Sequence, residues 1–200
     1  MLYRIKKTLR EHWCKRTHKL LNKDISIISM NCVGGCVYHD YGLRFMSPTI
    51  NLSFSASDFV KFCENIEGYL AEELRFVCVG GDMVYPIAML NDIRIDFVHY
   101  DTPQEAKKEW EVRKKRINWE NVYFIMCERD ECTYDLLKKF DSLPYRNKVA
   151  FVHTDYPDLK CAYKIGGFEQ QSELGNIIDF KKYGFKRYYD DFDFNTWFKR

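Results

Sequence analysis

Apolar runs alternate with amphipathic segments along most of the chain, and the two periods predict different elements. Short apolar or alternating runs bounded by polar, Gly or Pro residues predict strands at 25–30, 48–54, 76–79, 86–90, 93–98, 122–126 and 148–152. Apolar positions that repeat every three or four residues predict a helical turn at 36–40 and helices at 57–70, 102–117 and 133–140. Strands that alternate with helices in this way are typical of an α/β fold.

The clearest local signals lie in the second half of the chain. Thr102 and Glu105 form a capping box, and Pro103 occupies the first helical position, so a helix should begin there. The succession of strand 122–126, helix 133–140 and strand 148–152 has the length of a βαβ unit, whose strands are parallel neighbours. We therefore predict a single α/β domain over 24–200, with a mainly parallel sheet flanked by helices. The aromatic-rich C-terminal tail should cover the sheet.

The first 23 residues form a basic arm with helical periodicity. Its apolar residues recur at steps of three, four and seven, at Leu2, Ile5, Leu9, Trp13 and Leu20. The arm carries eight basic side chains and one acidic one, although the net charge of the whole chain is only +2. A basic amphipathic helix of this kind either lies on an anionic membrane surface or docks its apolar stripe on the domain. Both placements are open at this point.

Composition excludes several classes of protein. The chain has 200 residues, 46% of them hydrophobic, with nearly balanced charge, which excludes intrinsic disorder. No apolar run approaches the length of a membrane span, and no apolar stretch follows the basic arm as in a secretory signal. We expect a cytoplasmic protein, at the inner face of the membrane if the arm binds lipid, whose eight cysteines are thiols. The cysteine spacings predict no metal site, and the confined basic charge predicts no nucleic-acid partner.

Polar and titratable residues concentrate where the predicted strands end. They are Asn31, Cys32, Gly34 and Gly35 after the first strand, His99 and Tyr100 after 93–98, Arg129 and Asp130 after 122–126, and His153 after 148–152. Ligands of open parallel sheets bind outside the carboxyl ends of the strands. If these strands are parallel, their ends predict a catalytic or ligand-binding site at one edge of the sheet.

The strand ends offer catalytic roles, each with a structural alternative. The amides of Gly34 and Gly35, together with the Asn31 side chain, would stabilise an oxyanion, although a plain Gly-Gly turn needs no ligand. His99 suits a general base because imidazole titrates near neutral pH, and Asp130 would orient it. A histidine that merely caps the following helix explains His99 equally well.

The remaining candidates are a thiol and several basic or amide side chains. Cys32 would be a nucleophile if a histidine lowered its pKa, while an inert buried thiol is the commoner outcome. Arg113 lies on the predicted inner face of helix 102–117, and a buried guanidinium needs a carboxylate or phosphate partner. Arg116 and Asn118 add hydrogen-bonding groups at the end of that helix. Arg129 either binds a substrate or pairs with its acidic neighbours.

Several short motifs form a combined pattern that is more specific than any one of them. They are Ser29-Met-Asn-Cys-Val-Gly-Gly35, Tyr41-Gly-Leu43, Ser47-Pro-Thr49, His99-Tyr100, Trp110-x-x-Arg113-x-x-Arg-Ile-Asn118, Arg129-Asp130 and Leu143-Pro-Tyr145. Together they resemble the bacterial domain of unknown function 1919. The resemblance spans about residues 25–170 and leaves the basic arm and the aromatic tail outside. Members of this family are commonly labelled exopolysaccharide or capsule biosynthesis proteins, and some are labelled acetyltransferases.

The resemblance implies a protein that decorates or assembles a surface polysaccharide, and our leading hypothesis is an O-acetyltransferase. Acetyl-CoA would be the co-substrate, and the acceptor would be a sugar hydroxyl or a lipid-linked oligosaccharide. Arg113 and Arg116 would hold the phosphates of CoA. Tyr100, Asn118 and Arg129 complete the expected set of substrate-binding and cofactor-binding residues.

Two other functions compete with this hypothesis. A glycosyltransferase or phosphotransferase would use a nucleotide-activated donor, and Asp191-Phe-Asp193 is formally an Asp-x-Asp metal motif. A non-catalytic glycan-binding or assembly subunit would instead use some of the 15 Phe, 14 Tyr and 4 Trp side chains to stack on sugars.

Overall fold

The computed structural model describes residues 1–77 and 84–199. Its helices are α1 (Leu2–Thr17), α2 (Val33–Asp40), α3 (Ala56–Glu64), α4 (Ile66–Ala71), α5 (Pro103–Lys114), α6 (Tyr134–Ser142) and α7 (Phe194–Trp197). Its strands are β1 (Ser26–Ser29), β2 (Arg75–Val77), β3 (Ile87–Leu90), β4 (Ile93–Asp96), β5 (Val122–Cys127), β6 (Lys148–Val152) and β7 (Ala162–Lys164). Short 3-10 turns at Trp119–Asn121 and Tyr188–Asp191 precede β5 and α7.

The central element is a four-stranded sheet in the order β1-β5-β6-β7. All of its neighbouring strands are parallel. The β5–α6–β6 segment is the predicted βαβ unit, and its two strands are parallel neighbours as expected. The predicted α/β class, with helices flanking a parallel sheet, is therefore confirmed. The edge strand β7 follows a loop, and the sequence pattern did not predict it.

A second, antiparallel sheet has the order β2-β3-β4. A tight turn joins β3 to β4, with Asn91 in the left-handed region at a φ of 55°. The strand before His99 is therefore the end of a hairpin, so the expectation that it joins the other strand ends of a parallel sheet is wrong. Strand 76–79 is present as β2, which ends at Val77, and its last two predicted positions lie outside the described residues.

Segment 48–54, predicted as a strand, joins a sheet only through an isolated bridge between Ser53 and Asp96. Its first residues are held in a local turn, because the Thr49 amide donates to Ser47 Oγ at 3.1 Å and the Ile50 amide to the Pro48 carbonyl at 2.9 Å. Hydroxyl groups that bond to nearby backbone compete with a strand ladder. The extended run is therefore mostly a loop.

The helices agree with the predicted segments, with two differences. The Thr102 hydroxyl accepts a hydrogen bond from the Glu105 amide at 3.2 Å and starts α5, as predicted. The predicted helix at 57–70 is two helices, because Asn65 leaves the helical region at a φ of −141°. The predicted turn at 36–40 is the second half of a longer helix, α2.

The parallel sheet separates two apolar clusters. One face packs against α3, α5, α6 and the antiparallel sheet, and its largest buried side chains include Phe59, Phe62 and Trp110. The other face packs against α2 and the aromatic tail. Within that tail, Trp197 and Phe198 contact the ring of Tyr123 on β5, with centroids 4.8 and 5.0 Å apart. The tail covers the sheet through these rings.

Helix α1 is held on the rest of the chain by a polar side chain rather than by its apolar stripe. Arg10 is 3% exposed and hydrogen-bonds to Asp40 of α2 and Asp190 of the tail. By contrast, Ile5 and Leu9 are 51% and 50% exposed. No helix within residues 1–77 and 84–199 is long and apolar enough to span a bilayer.

Candidate functional site

A cavity of about 270 Å³ lies at the carboxyl ends of β1 and β5. Its polar lining side chains are Asn31, Ser53, Arg129, Asp130 and Asn176, and we call it the polar cavity. It occupies the place where ligands bind in open parallel sheets, because strand ends and the following loops converge there. The structure thus brings together Asn31, Cys32, Arg129 and Asp130, four of the six residues that were predicted at the ends of these two strands.

A second cavity of about 330 Å³ lies between α1, α2 and the C-terminal tail. Its walls include the basic side chains Lys7, His39, His99 and Arg187 and the aromatic rings Tyr3, Phe45 and Phe180. We call it the basic cavity. Cys32 and Ile178 line both cavities, so the two adjoin at these residues.

Cys32 lies at the junction of the two cavities, but its thiol is not activated as a nucleophile. Its Sγ lies 4.0 Å from the Leu52 carbonyl, to which it donates a weak hydrogen bond. Burial, with a smaller contribution from the Cys36 thiol, raises the pKa of Cys32 to about 11. At neutral pH, roughly one molecule in ten thousand would carry the thiolate. The cysteine is therefore a protonated thiol under ordinary conditions.

The first turn of α2 contains the predicted oxyanion donors, and Gly34 is not available for that role. Its amide donates to Ser29 Oγ at 3.1 Å, and a Cβ added at this position would lie 2.6 Å from Ser29 Cβ. Gly34 is therefore a glycine because α2 passes close to β1. Gly35 lines the basic cavity, and an added Cβ would meet no atom closer than 3.8 Å.

Asn31 lines the polar cavity, and the oxygen of its side-chain amide is hydrogen-bonded. Its Oδ1 accepts hydrogen bonds from the Val33 amide at 3.2 Å and from the Cys127 thiol at 3.9 Å. These bonds direct the NH₂ group of the same side chain away from the two donors. Of the three donors that were predicted for an oxyanion, the Gly35 amide and the Asn31 NH₂ group thus lie at the cavities.

His99 is an exposed residue of the basic cavity. Its amide donates to the carbonyl of Asn51 at 3.3 Å, and Asn51 lines the same cavity in the left-handed region, at a φ of 62°. Asp130 lines the polar cavity instead, and the described hydrogen bonds and ion pairs do not join it to His99. The predicted pairing of His99 with Asp130 is therefore not part of this arrangement.

Asp130 has a strained backbone at the carboxyl end of the sheet. It and Glu131 adopt φ values of 57° and 66°, which are uncommon for residues other than glycine. The Asp130 carboxylate pairs with Arg129 Nε at 3.2 Å, and its carbonyl accepts from the Ala56 amide at 3.1 Å. Strain of this kind is typical of functional sites. Both side chains of the pair line the polar cavity.

Tyr100, Arg113 and Arg116 support the wall of the basic cavity from behind and do not line either cavity. Arg113 donates to the Tyr100 hydroxyl at 2.6 Å, pairs with Glu109 at 2.8 Å and lies 5.2 Å from the ring centroid of Phe45. Arg116 donates to the Phe45 carbonyl at 3.3 Å. Both arginines thus bond to the protein around Phe45, and the role of holding phosphates stays a prediction for them.

Asn118 lies at the opposite end of the sheet, where β1 begins. Its side-chain amide donates to the Asp24 carboxylate at 3.1 Å, and its backbone amide donates to Ser26 Oγ at 2.8 Å. Its carbonyl oxygen caps the turn at Trp119–Asn121. Asn118 makes structural contacts at this end and lines neither the polar nor the basic cavity, and its role as a binding residue stays a prediction.

A buried network at the same sheet edge was not predicted as a unit. Glu128 is 5% exposed and accepts hydrogen bonds from the His153 amide at 2.8 Å, from the Tyr156 hydroxyl and from the His153 ring, whose Nδ1 lies 2.6 Å away. A carboxylate that orients a histidine is typical of catalytic sites. Neither Glu128 nor His153 lines the polar or the basic cavity, however. The network joins the ends of β5 and β6.

The residues that sequence reasoning missed come from the two ends of the chain. Tyr3 and Lys7 of α1 and Phe180 and Arg187 of the tail line the basic cavity. Arg187 donates to the Ile178 carbonyl at 2.6 Å, while its buried Nε has no acceptor among the described residues. The basic charge of both segments was visible in the sequence, but their meeting was not.

The Asp-x-Asp motif of the tail is occupied by structural contacts. Asp191 pairs with Lys181 at 2.5 Å. Asp193 accepts hydrogen bonds from the amide and the hydroxyl of Thr196, at 3.0 and 2.6 Å, and begins α7. Among the described residues, no group of three or more His, Cys, Asp and Glu side chains could hold a metal ion.

Comparison with known proteins identifies the family. The family model described as a domain of unknown function, DUF1919, matches residues 4–199, so the family includes the basic arm and the aromatic tail, contrary to the expected limits. A Haemophilus influenzae protein described as uncharacterized is 42% identical over 180 residues, which are 90% of this chain and 86% of the relative. The chain belongs to the DUF1919 family.

Proposed function

We propose that this protein transfers an acyl group, acetyl from acetyl-CoA, to a sugar hydroxyl of a surface polysaccharide or its lipid-linked precursor. The observation that carries the proposal is the meeting of two chemically different cavities at Cys32 and Ile178. A transferase needs two such compartments, because donor and acceptor must be held side by side while one bond is exchanged.

The polar cavity suits the acceptor. Its amide, hydroxyl, carboxylate and guanidinium groups match the mixed donors and acceptors of sugar hydroxyls, and they come from Asn31, Ser53, Asn176 and the Arg129–Asp130 pair. That pair and the strained backbone at Asp130 hold these groups in place before a ligand arrives. Preorganised polar groups of this kind reduce the entropy cost of binding.

The basic cavity suits an anionic donor with an aromatic ring. Lys7 and Arg187 line this cavity and would bind the phosphates of CoA, whereas Arg113 and Arg116 contact Phe45. The buried Nε of Arg187, which has no acceptor among the described residues, favours an anion at this wall. Tyr3 and Phe180 are the aromatic side chains of this wall against which an adenine ring would pack.

Direct transfer fits the site better than a covalent route, since the Cys32 thiol stays protonated. The acceptor hydroxyl gives its proton to His99 and attacks the thioester carbonyl, whose oxygen is stabilised by the Gly35 amide and the Asn31 NH₂ group. The carbon–sulfur bond then breaks, and CoA leaves as a thiolate that takes the proton from His99. An ester and a thiol replace the alcohol and the thioester.

The test compares surface polysaccharide from the parent organism, a deletion strain, and strains complemented with wild-type, His99→Ala or His12→Ala protein. We expect NMR to show loss of one acyl signal from an otherwise intact repeat unit in the deletion strain. His99→Ala should fail to restore it, with purified transfer from acetyl-CoA lowered about 100-fold or more. His12→Ala changes an exposed histidine of α1 outside both cavities and should restore it fully.

Three results would contradict the proposal. A missing sugar or phosphodiester in the deletion strain would indicate a glycosyltransferase or phosphotransferase. An unchanged repeat unit with less polymer would indicate a non-catalytic assembly subunit. Full acylation by a folded His99→Ala protein would remove His99 from the mechanism.

A further inference from the structure

Helix α1 has one face committed to the protein and another turned outward. Arg10 and Cys14, which are 3% and 4% exposed, fix the docked face. Arg10 bonds to Asp40 and Asp190 at once, so the rotation of the helix about its axis is set by two separate segments of chain. The docked side also contributes Tyr3 and Lys7 to the basic cavity.

The outward side of α1 carries a row of large apolar residues. Ile5, Leu9 and Trp13 are spaced four residues apart, which places them along one side of a helix. Ile5 is 51% and Leu9 is 50% exposed, although residues of this type are usually buried. The half-buried Trp13 extends the row toward the C-terminal tail.

The tail adds a loop of residues 181–186 beside this row. Phe185 lies 6.0 Å from Trp13 between ring centroids, and the Lys186 ammonium lies 5.1 Å from the Trp13 ring. Tyr183, which is 81% exposed, precedes Gly184, whose φ of 83° makes the turn. Two segments that are far apart in sequence thus form one surface.

The loop is attached to α1 and not merely near it. Lys6 Nζ donates to the Lys181 carbonyl at 3.2 Å, and the rings of Tyr3 and Phe180 meet at 5.7 Å between centroids. We call the outward residues Ile5, Leu9, Trp13, Tyr183 and Phe185 the α1–loop surface.

Basic side chains surround the α1–loop surface, and acidic ones are scarce. Residues 1–23 carry eight Lys and Arg and one Glu, and residues 181–187 carry four Lys and Arg and no Asp or Glu. Among the described residues, Arg10 and Lys181 are the two of these groups that form ion pairs, Arg10 with Asp40 and Asp190 and Lys181 with Asp191. Exposed apolar and aromatic side chains within a basic field are the combination by which proteins bind an anionic lipid surface.

We propose that the α1–loop surface docks this protein on a membrane of anionic phospholipids. Ile5, Leu9 and Tyr183 enter the interface between headgroups and acyl chains, and the surrounding Lys and Arg side chains bind the headgroups. The docked helix also forms a wall of the basic cavity, so docking holds that cavity at the lipid surface. A substrate on a lipid carrier would meet the site there. Membrane docking itself does not depend on acyl transfer.

The test is co-sedimentation of the full chain with vesicles. One set contains phosphatidylcholine alone, and the other contains phosphatidylcholine with an equal amount of phosphatidylglycerol. We expect strong binding to the anionic vesicles, weak binding to the neutral ones and release by high salt, which screens the headgroup charge. The double variant Ile5→Asp/Leu9→Asp should lower the partition coefficient about tenfold or more, and Tyr183→Asp should lower it as well.

Val112→Asp is the matched control, because Val112 is an apolar helix residue on α5 that is 39% exposed. It should bind vesicles like the wild type, and thermal unfolding should show that all variants are folded. Equal binding to neutral and anionic vesicles, or equal binding by the control and the double variant, would overturn the proposal. The proposal would also be overturned if the wild type bound neither kind of vesicle and light scattering showed a dimer that the double variant does not form.

Discussion

Two consecutive glycines of α2 have different physical reasons to be glycine. A Cβ at Gly34 would lie 2.6 Å from Ser29 Cβ and 3.3 Å from Ile27 Cγ2, both on the buried strand β1. The nearest atoms to a Cβ at Gly35, on Ile50 and Asn51, would be at 3.8 Å, an ordinary contact distance. Gly34 is therefore required by the packing of α2 on β1, whereas Gly35 lines the basic cavity and has room for a methyl group.

Gly34→Ala should lower the free energy of unfolding by about 1–3 kcal/mol, because the methyl group forces α2 away from β1. Gly35→Ala should leave stability unchanged or raise it by up to about 1 kcal/mol, because alanine favours a helix. Urea unfolding monitored by circular dichroism measures both. Equal destabilisation by the two changes would show that the close approach of α2 to β1 is not as described.

Arg113 shows which properties of a residue can be predicted from the sequence and which cannot. Arg113 was predicted to be buried and to need an anionic partner, and both are correct. The partner is Glu109, one turn earlier on the same helix, while the buried Nε of Arg113 has no acceptor among the described residues. Burial follows from local periodicity, whereas the choice among several nearby carboxylates depends on tertiary packing.

Among the elements, the short helix α7 depends on its N-cap residue, Asp193. The Asp193 side chain accepts from the Thr196 amide and hydroxyl, and these hydrogen bonds lower the pKa of Asp193. A carboxyl group with a lowered folded-state pKa stabilises the fold above its unfolded pKa. That contribution is lost as the pH falls through the folded value.

Asp193→Ala should destabilise the protein by about 1 kcal/mol near neutral pH, and Asp193→Asn should cost much less, because asparagine also caps helices. The difference between wild type and Asp193→Ala should shrink as the pH falls below the usual range for an aspartate. Thermal unfolding between neutral and acidic pH measures this. A loss of function in a stable Asp193→Asn protein would instead support metal binding by the Asp-x-Asp motif.

Elements with strong local signals were predictable, and their pairing was less so. The cap at Thr102 and the β5–α6–β6 unit follow from residues close together in sequence. The direction of β4 does not, because a four-residue strand with alternating apolar and charged positions can pair with a parallel or an antiparallel neighbour. His99 consequently reaches the basic cavity from the end of a hairpin and not from the parallel sheet.

At the scale of the whole molecule, Arg10 connects three segments that are far apart in sequence. Its guanidinium bonds to Asp40 of α2, Asp190 of the tail and the Tyr189 hydroxyl. Burial alone would lower the Arg10 pKa, but the hydrogen bonds to Asp190 and Asp40 outweigh it and raise the pKa. The arginine therefore stays charged, and both carboxylates depend on it for their charge balance.

The same network accounts for the part of the site that sequence reasoning missed. Periodicity predicts that the arm is a helix and that the tail is buried, but it carries no information on contacts across about 180 residues. The expected limits of the family resemblance left out both segments, and the family model includes them. A buried ion network between the two ends is consistent with their belonging to one cooperative unit.

Arg10→Leu should be among the most destabilising changes in the chain, costing about 3–5 kcal/mol, because it leaves two buried carboxylates without a counterion. Asp40 and Asp190 side chains are 7% and 2% exposed, so water cannot replace the lost partner. Arg16→Leu, on the exposed side of the same helix, should change stability by no more than about 0.5 kcal/mol. The triple variant Arg10→Leu/Asp40→Asn/Asp190→Asn should recover part of the loss, because no buried charge is left unpaired.

Urea unfolding measures the three stabilities, and limited proteolysis should show the arm and the tail loosening together in Arg10→Leu. If the tail stays protected while the arm is cut, the network does not couple the two ends.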